Sequence, residues 1–239
     1  MNVAELYDEL PIELPGDVMD ALASHHAKQV AGEFFLRLMN RDEIIELHEC
    51  LADLKEFQDI LPLWSDDNSN YVGLYCRGPL KNKVCYISHE ETDLSPGFRS
   101  VSSFLASLEQ SSDLDWDDLK KDYPTEADID TQHLEDDRKC IDELNALLHS
   151  HQLDDDYRVQ LIYSVMAITP KTDLDSIVKY LDDEDMYVQE RACEILGYHR
   201  HVPAKEKLRE IAQSGMPNGR QAAKGALARI RETRETSKS

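Results

Sequence analysis

The stretch Ile60–Leu108, ILPLWSDDNSNYVGLYCRGPLKNKVCYISHEETDLSPGFRSVSSFLASL, decides how the first half of the chain folds. It opens with an apolar run, Ile60, Leu61, Leu63 and Trp64, that ends at the polar cluster Ser65 to Asn70. Two segments rich in aromatic and β-branched residues follow, Tyr71 to Cys76 and Val84 to Ser88, the composition of strands. Between them lies RGPLKNK, whose Gly78-Pro79 pair signals a turn. After a loop containing Pro96-Gly97, Ser100 or Ser102 is placed to cap a helix with Val101, Phe104, Leu105 and Leu108 on its apolar face. A hairpin followed by a capped amphipathic helix is a small α+β unit. Nothing in it has catalytic spacing.

Upstream, residues 1 to 10 read as a short helical lead-in. Pro15 suits the first turn of a helix through Asp17, Val18, Ala21 and Leu22 that reaches His25-His26. Adjacent histidines point in different directions on a helix, so a shared metal is disfavoured and both are expected at the solvated surface. Glu33 to Met39, EFFLRLM, reads as a strand. Asn40-Arg41-Asp42 then leads into an amphipathic helix in which Ile44, Ile45, Leu47, His48, Leu51 and Leu54 recur at three- and four-residue steps. His48 is expected there as a core or boundary histidine.

Downstream the composition shifts. From Asp113 to Asp137 the chain carries 11 acidic residues against 2 lysines, the signature of a solvated connector. Within it Trp116, Leu119 and Tyr123 are spaced to share a helical face before Pro124. Two uses of Trp116 follow: docking onto the chain's own core, or contact with a partner, since tryptophan dominates interface energies.

Beyond Lys139 the pattern is helical and repeats. A 31-residue shift aligns Tyr157 with Val188 and Gly219, Leu161 with Ala192 and Ala223, and Val165 with Leu196 and Leu227. The preceding helices align through Ala146, Ile177 and Leu208. In the segment LDSIVKYLDDEDMYVQERACEILGYHRHVPA, Asp182 to Asp185 forms a turn, Val188, Ala192, Ile195 and Leu196 face inward, and Gly197 ends the helix. This segment resembles a short HEAT-like repeat. One such unit cannot cover its own apolar face, so about three are expected to stack.

The order LPLW, DDNSNYVGLYC, the Gly78-Pro79 turn with a second strand, and FLASL resembles the SUKH superfamily, as does the upstream Leu14-Pro15 that opens a helix. That fold is shared by many bacterial toxin-immunity proteins and a fungal cell-wall regulator. The resemblance covers roughly residues 10 to 110. One departure is the turn after the tryptophan, DDNSN, which lacks the family's glycine. The expected fold is therefore an α+β domain over residues 1–110, with a small antiparallel sheet and flanking helices. An acidic connector over 111–138 and an all-α stack of HEAT-like repeats over 139–239 complete it.

Charge narrows the function. The 239 residues include 26 basic and 48 acidic ones, a net charge of −22, which disfavours nucleic-acid phosphates as partners. Residues 200 to 239 reverse the sign, with 10 basic and 4 acidic residues. The acidic start lacks a basic region followed by an apolar core, so no signal peptide is expected. The run Leu161 to Pro170 is too short to span a bilayer. Five cysteines without a C-x-x-C spacing suit free thiols and a cytoplasmic location.

Chemical motifs fail at specific positions. Asp66, Asn68 and Asn70 begin like a calcium loop, but Tyr71 stands where glycine is needed and Arg77 where a bidentate Glu is needed. His48-Glu49 and His89-Glu90 each start a zinc-protease pattern that Ala52 and Asp93 break. There is no P-loop, dinucleotide fingerprint or nucleophile elbow. No catalytic residue, metal or cofactor is expected. The resemblance implies an immunity protein that occludes a bacterial toxin domain, and the acidity suits a basic, nuclease-like one. The alternative is an intracellular scaffold or regulator. The expected partner-binding residues are Asp113, Asp115, Trp116, Asp117 and Asp118, with Asp66 and Asp67 beside Trp64 as a second cluster, in which Trp64 reads also as core and the two Asp as turn formers.

Overall fold

The computed structural model describes Leu10, Ile12 and residues 14–125, 131–150 and 153–236, the last five in backbone only. The lead-in expected over residues 1 to 10 lies, but for Leu10, outside the described residues. The chain divides into two compact units, Met1–Tyr123 and Pro124–Ser239.

The first unit is a five-stranded antiparallel meander with helices. Its elements run α1 (Gly16–Ala31), β1 (Arg37–Leu38), α2 (Arg41–Leu51), β2 (Ile60–Ser65), β3 (Tyr71–Tyr75), β4 (Val84–Ile87), β5 (Pro96–Phe98) and α3 (Val101–Gln110). The strands lie in the sheet in chain order. From β2 to β5 each strand is joined to the next by a short connection, as antiparallel neighbours allow, while α2 lies between β1 and β2. β2 is buried along its whole length. A proline inside such a strand cannot donate to the ladder, and the register slips there: Pro62 faces Gly73, while Trp64 faces Val72. The extra residue, Leu63, instead accepts from Met39 N–H at 2.9 Å. The segment Glu33 to Met39 thus supplies only a two-residue strand, and Pro96-Gly97 belongs to β5 instead of a loop.

Capping follows the sequence. Asn40 and Glu43 form a capping box at α2, and Ser100 with Ser103 forms one at α3. All four apolar residues expected on α3, Val101, Phe104, Leu105 and Leu108, are buried. On α2 only Ile44 is fully buried. Leu54 lies beyond the helix and is 45% exposed. His48 is half-buried, whereas His25, expected at the surface, is wholly buried.

The core continues past residue 110. Trp64 packs edge-on to Phe104 with ring centroids 4.8 Å apart, and Phe104 meets Phe98 at 5.3 Å. Phe98 meets Trp116 at 5.4 Å. Trp116, Leu119 and Tyr123 are all buried, on a chain of turns with no helix. A Cβ at Gly97 would stand 2.6 Å from Trp116, so only glycine leaves room for that ring. Asp122 and Tyr123 donate their N–H groups to Gly97 O, closing the β5 edge. The boundary at 110 and the connector over 111–138 are therefore corrected: residues 111–123 complete the first unit. Asp113, Asp115, Asp117 and Asp118, four of the acidic residues that suggested a connector, are exposed on it.

The second unit is helical. It comprises α4 (Thr131–Leu148), α5 (Asp155–Ile168), a 3-10 segment Lys171–Asp182, α6 (Met186–Tyr198), α7 (Lys205–Ser214) and α8 (Pro217–Thr236). Its first helix begins at 131, ahead of the expected 139. Helices α5, α6 and α8 start 31 residues apart, the spacing of the sequence repeat. Asp154 and Asp185 cap α5 and α6. The aligned positions Leu161, Ala192 and Ala223, and Val165, Leu196 and Leu227, are buried, as are Ile177 and Leu208. Ala146 is exposed, and Cys140 and Leu144 hold the inner side of α4 instead. Gln189 joins successive segments: its Nε2 donates to Leu181 O and its Oε1 accepts from Met216 N–H, both at 2.8 Å.

Gly197 does not end its helix, which runs to Tyr198 with His199 as the cap. A Cβ there would stand 2.7 Å from the Ala226 backbone, so its role is close approach of α6 to α8. Gly197→Ala is expected to lower stability by about 1–3 kcal/mol through overpacking. Gly225→Ala, on α8 with nothing within 4 Å of its Cβ, is expected to stabilise by up to about 1 kcal/mol. Urea denaturation of both variants checks the opposite signs.

Candidate functional site

The β2–β3 turn, Asp66 to Asn70, folds around its own carboxylate. Asp66 Oδ1 accepts Asn68 N–H at 2.7 Å and Asn70 N–H at 3.1 Å, while Oδ2 accepts the Asn70 amide at 2.8 Å. Asn70 in turn accepts His89 N–H, tying the turn to the end of β4. Asp67 and Ser69 have positive φ angles of 59° and 68°, which short polar side chains tolerate. The turn thus takes left-handed backbone at two positions without glycine.

Asp67 is already engaged. Arg37 Nε donates to its carboxylate at 2.8 Å, and the same guanidinium donates to both oxygens of Glu43 at 2.9 and 2.7 Å. Glu43 also accepts Asn40 N–H in the α2 capping box. The Arg37 hydrogen bonds hold both carboxyls below their usual range. Asp67 accordingly enters the site as a paired charge fixing the turn to β1 and α2.

In the cluster Asp113 to Asp118, Trp116 is 7% exposed, so its indole fills the chain's own core and is not offered to a partner's pocket. What it does is hold the acidic loop in place. Asp115 Oδ1 accepts the N–H groups of Asp117 and Asp118, at 3.0 and 3.2 Å. Asp113, Asp115, Asp117 and Asp118 are all exposed. Lys121 lies with its Nζ 5.3 Å from the Trp116 ring centroid. Burial there lowers its pKa, against the opposing pull of Asp117, Asp115 and Asp118.

The two clusters meet at a residue that the sequence did not single out. Tyr86, half-buried on β4, stacks on Trp116 with centroids 5.2 Å apart and planes 10° from parallel. Its phenol is pushed up to about 12, first by burial and then by the charges of Asp66, Asp117, Asp115 and Glu90. A tyrosine ring bordered by carboxylates from β2–β3, from the end of β4 and from the post-α3 loop is the candidate site. Such a face attracts cations and offers an aromatic surface for an alkyl chain or a guanidinium plane. Glu90 and Tyr86 carried no local signal, because only β4 pairing and Trp116 docking bring them to the acidic loops.

Among the described residues, no three His, Cys, Asp or Glu side chains gather to hold a metal, and no helix is long and apolar enough to cross a membrane. The described cysteines are free thiols. No family model, curated protein or solved structure matches the chain.

Arg37→Met is expected to cost about 1 kcal/mol near neutral pH by breaking a three-member network. Glu43 and Asp67 have lowered folded-state pKa values, so their contribution is present above 4.5 and 3.8 and is lost as pH falls below them. The gap between wild type and Arg37→Met should therefore close on acidification. Paired urea titrations at neutral and acid pH test this.

Proposed function

We propose that this protein binds a basic protein partner through the Tyr86 face and blocks it by occlusion, as an immunity protein neutralises a toxin domain. The reading is carried by one observation: half-buried Tyr86 stacks on buried Trp116, whose loop holds the exposed Asp115, Asp117 and Asp118. A rigid acidic platform gives rapid, steered association with a cationic surface. The first unit concentrates the charge needed, with 25 acidic against 10 basic residues over positions 1–123. The SUKH-like order of residues 10 to 110 supports an immunity role, and a basic nuclease-like toxin in the cytoplasm is the partner whose charge fits.

For the second unit we read the 31-residue pairs as HEAT-like repeats. Tyr187 and Tyr198, 52% and 38% exposed on α6, favour a second reading in which this unit scaffolds another protein. In both readings the chain acts by binding.

Affinity capture at low and high salt tests the first reading. A basic protein is expected to be retained, with association that slows as salt rises. Replacing Asp115, Asp117 and Asp118 by Asn keeps the Asp115-type cap but removes charge, and should slow association severalfold without altering the melting temperature. Co-expression should rescue the growth of cells making the captured protein. Retention of neutral partners without salt dependence, and no rescue, would favour the scaffold. Trp116→Ala should melt early, with a loss of roughly 3–5 kcal/mol, because it empties a core position.

A further inference from the structure

Helix α1 covers an edge of the sheet through a single side chain. Met39, next to β1, gives its N–H to Leu63 O on β2, so Leu38 turns its own N–H and C=O outward. Gln29 takes both: its Oε1 accepts Leu38 N–H at 2.7 Å and its Nε2 donates to Leu38 O at 3.1 Å. The side-chain amide occupies the place of another strand's backbone, which otherwise would be a template for pairing.

One helical turn earlier on the same face of α1 stands His25. It is 0% exposed, and its ring meets Phe34 edge-on at 4.9 Å. Nδ1 lies 3.1 Å from Glu109 Oε1 on α3, while Lys28 donates to the other Glu109 oxygen. Nε2 is buried and has no hydrogen-bond partner among the described residues. In neutral His25 the proton sits on Nδ1, shared with Glu109, and Nε2 is a bare lone pair. A second proton would create a buried N–H without an acceptor and a desolvated charge.

We propose that α1 is an acid-released cover of the β1 edge: protonation of His25 loosens α1 from α3, and Gln29 leaves the Leu38 backbone unpaired. The charged groups facing His25 are Glu109 from α3, which favours the imidazolium, and Lys28 and His26 from α1, which oppose it. Burial is the largest influence, and the net effect lowers the His25 pKa below 6.5. The closed form is therefore favoured above 6.5. As pH falls below that value the open form takes up the proton first, and each further unit weights it by about tenfold until the closed-form pKa is reached.

Amide exchange of the full chain, corrected for the intrinsic rate at each pH, reads the cover directly. Between pH values above and below 6.5, protection of Leu38 and of the α1 amides is expected to fall severalfold, while Val72 and Leu74 of β3 keep theirs. His25→Asn retains a donor toward Glu109 and has no titrating ring, so the fall should vanish. Gln29→Ala should expose Leu38 at every pH and leave the acid response of α1 intact. Ring titration of His25 by NMR in the wild type stands independent of any variant. A His25 pKa at or above 6.5, or equal loss of protection in β1 and β3, overturns the proposal.

Discussion

The run of aromatic contacts from Trp64 through Phe104 and Phe98 to Trp116 is the constraint on which the first unit depends. Trp64 on the buried strand β2 and Phe104 on α3 set the position of helix against sheet. Phe98 on β5 extends the contact to a residue beyond the last helix. Trp116 then fixes a loop that has no regular structure of its own. Without that anchor, four exposed aspartates over six positions would repel one another and disperse. With it, their charge is held beside Tyr86 and adds to that of Asp66 and Glu90.

The same packing closes the sheet at β5. At β5, Asp122 and Tyr123 reach Gly97 O because Trp116 has brought the chain back across the strand. Tyr123 is secured by Lys83 and Arg99, which donate to its hydroxyl at 3.0 and 2.9 Å. At β1, Gln29 serves. Edge closure by a loop and by a side chain is a common protection against unwanted strand pairing. The β5 closure joins residues 25 positions apart, whereas Gln29 reaches Leu38 over nine, from the helix that precedes the strand.

The helical unit is held differently. Its repeating small residues, Ala192, Ala223 and Gly197, permit close helix approach, and the polar staple Gln189 links Leu181 to Met216 across the 31-residue step. A buried amide with both ends bonded specifies register where apolar packing alone would tolerate sliding.

Local chemistry settled much of the architecture from sequence alone. Capping boxes, the turn at Gly78-Pro79, strand composition and the 31-residue period are interactions between near neighbours, so the strands β3 and β4, helix α3 and the spacing of α5, α6 and α8 were legible. Partner choice at long range was not. Trp116 had two plausible destinations, and only the space above Gly97 selected the core. Asp67 read as a turn former or a partner contact, and only β1 brought Arg37 beside it. His25 looked like a surface residue until α3 packed over it. Tyr86 had no motif at all. In each case the deciding energy comes from burial or from a contact with a residue tens of positions away. A linear pattern records neither, because it shows what a residue can do but not what the fold places against it.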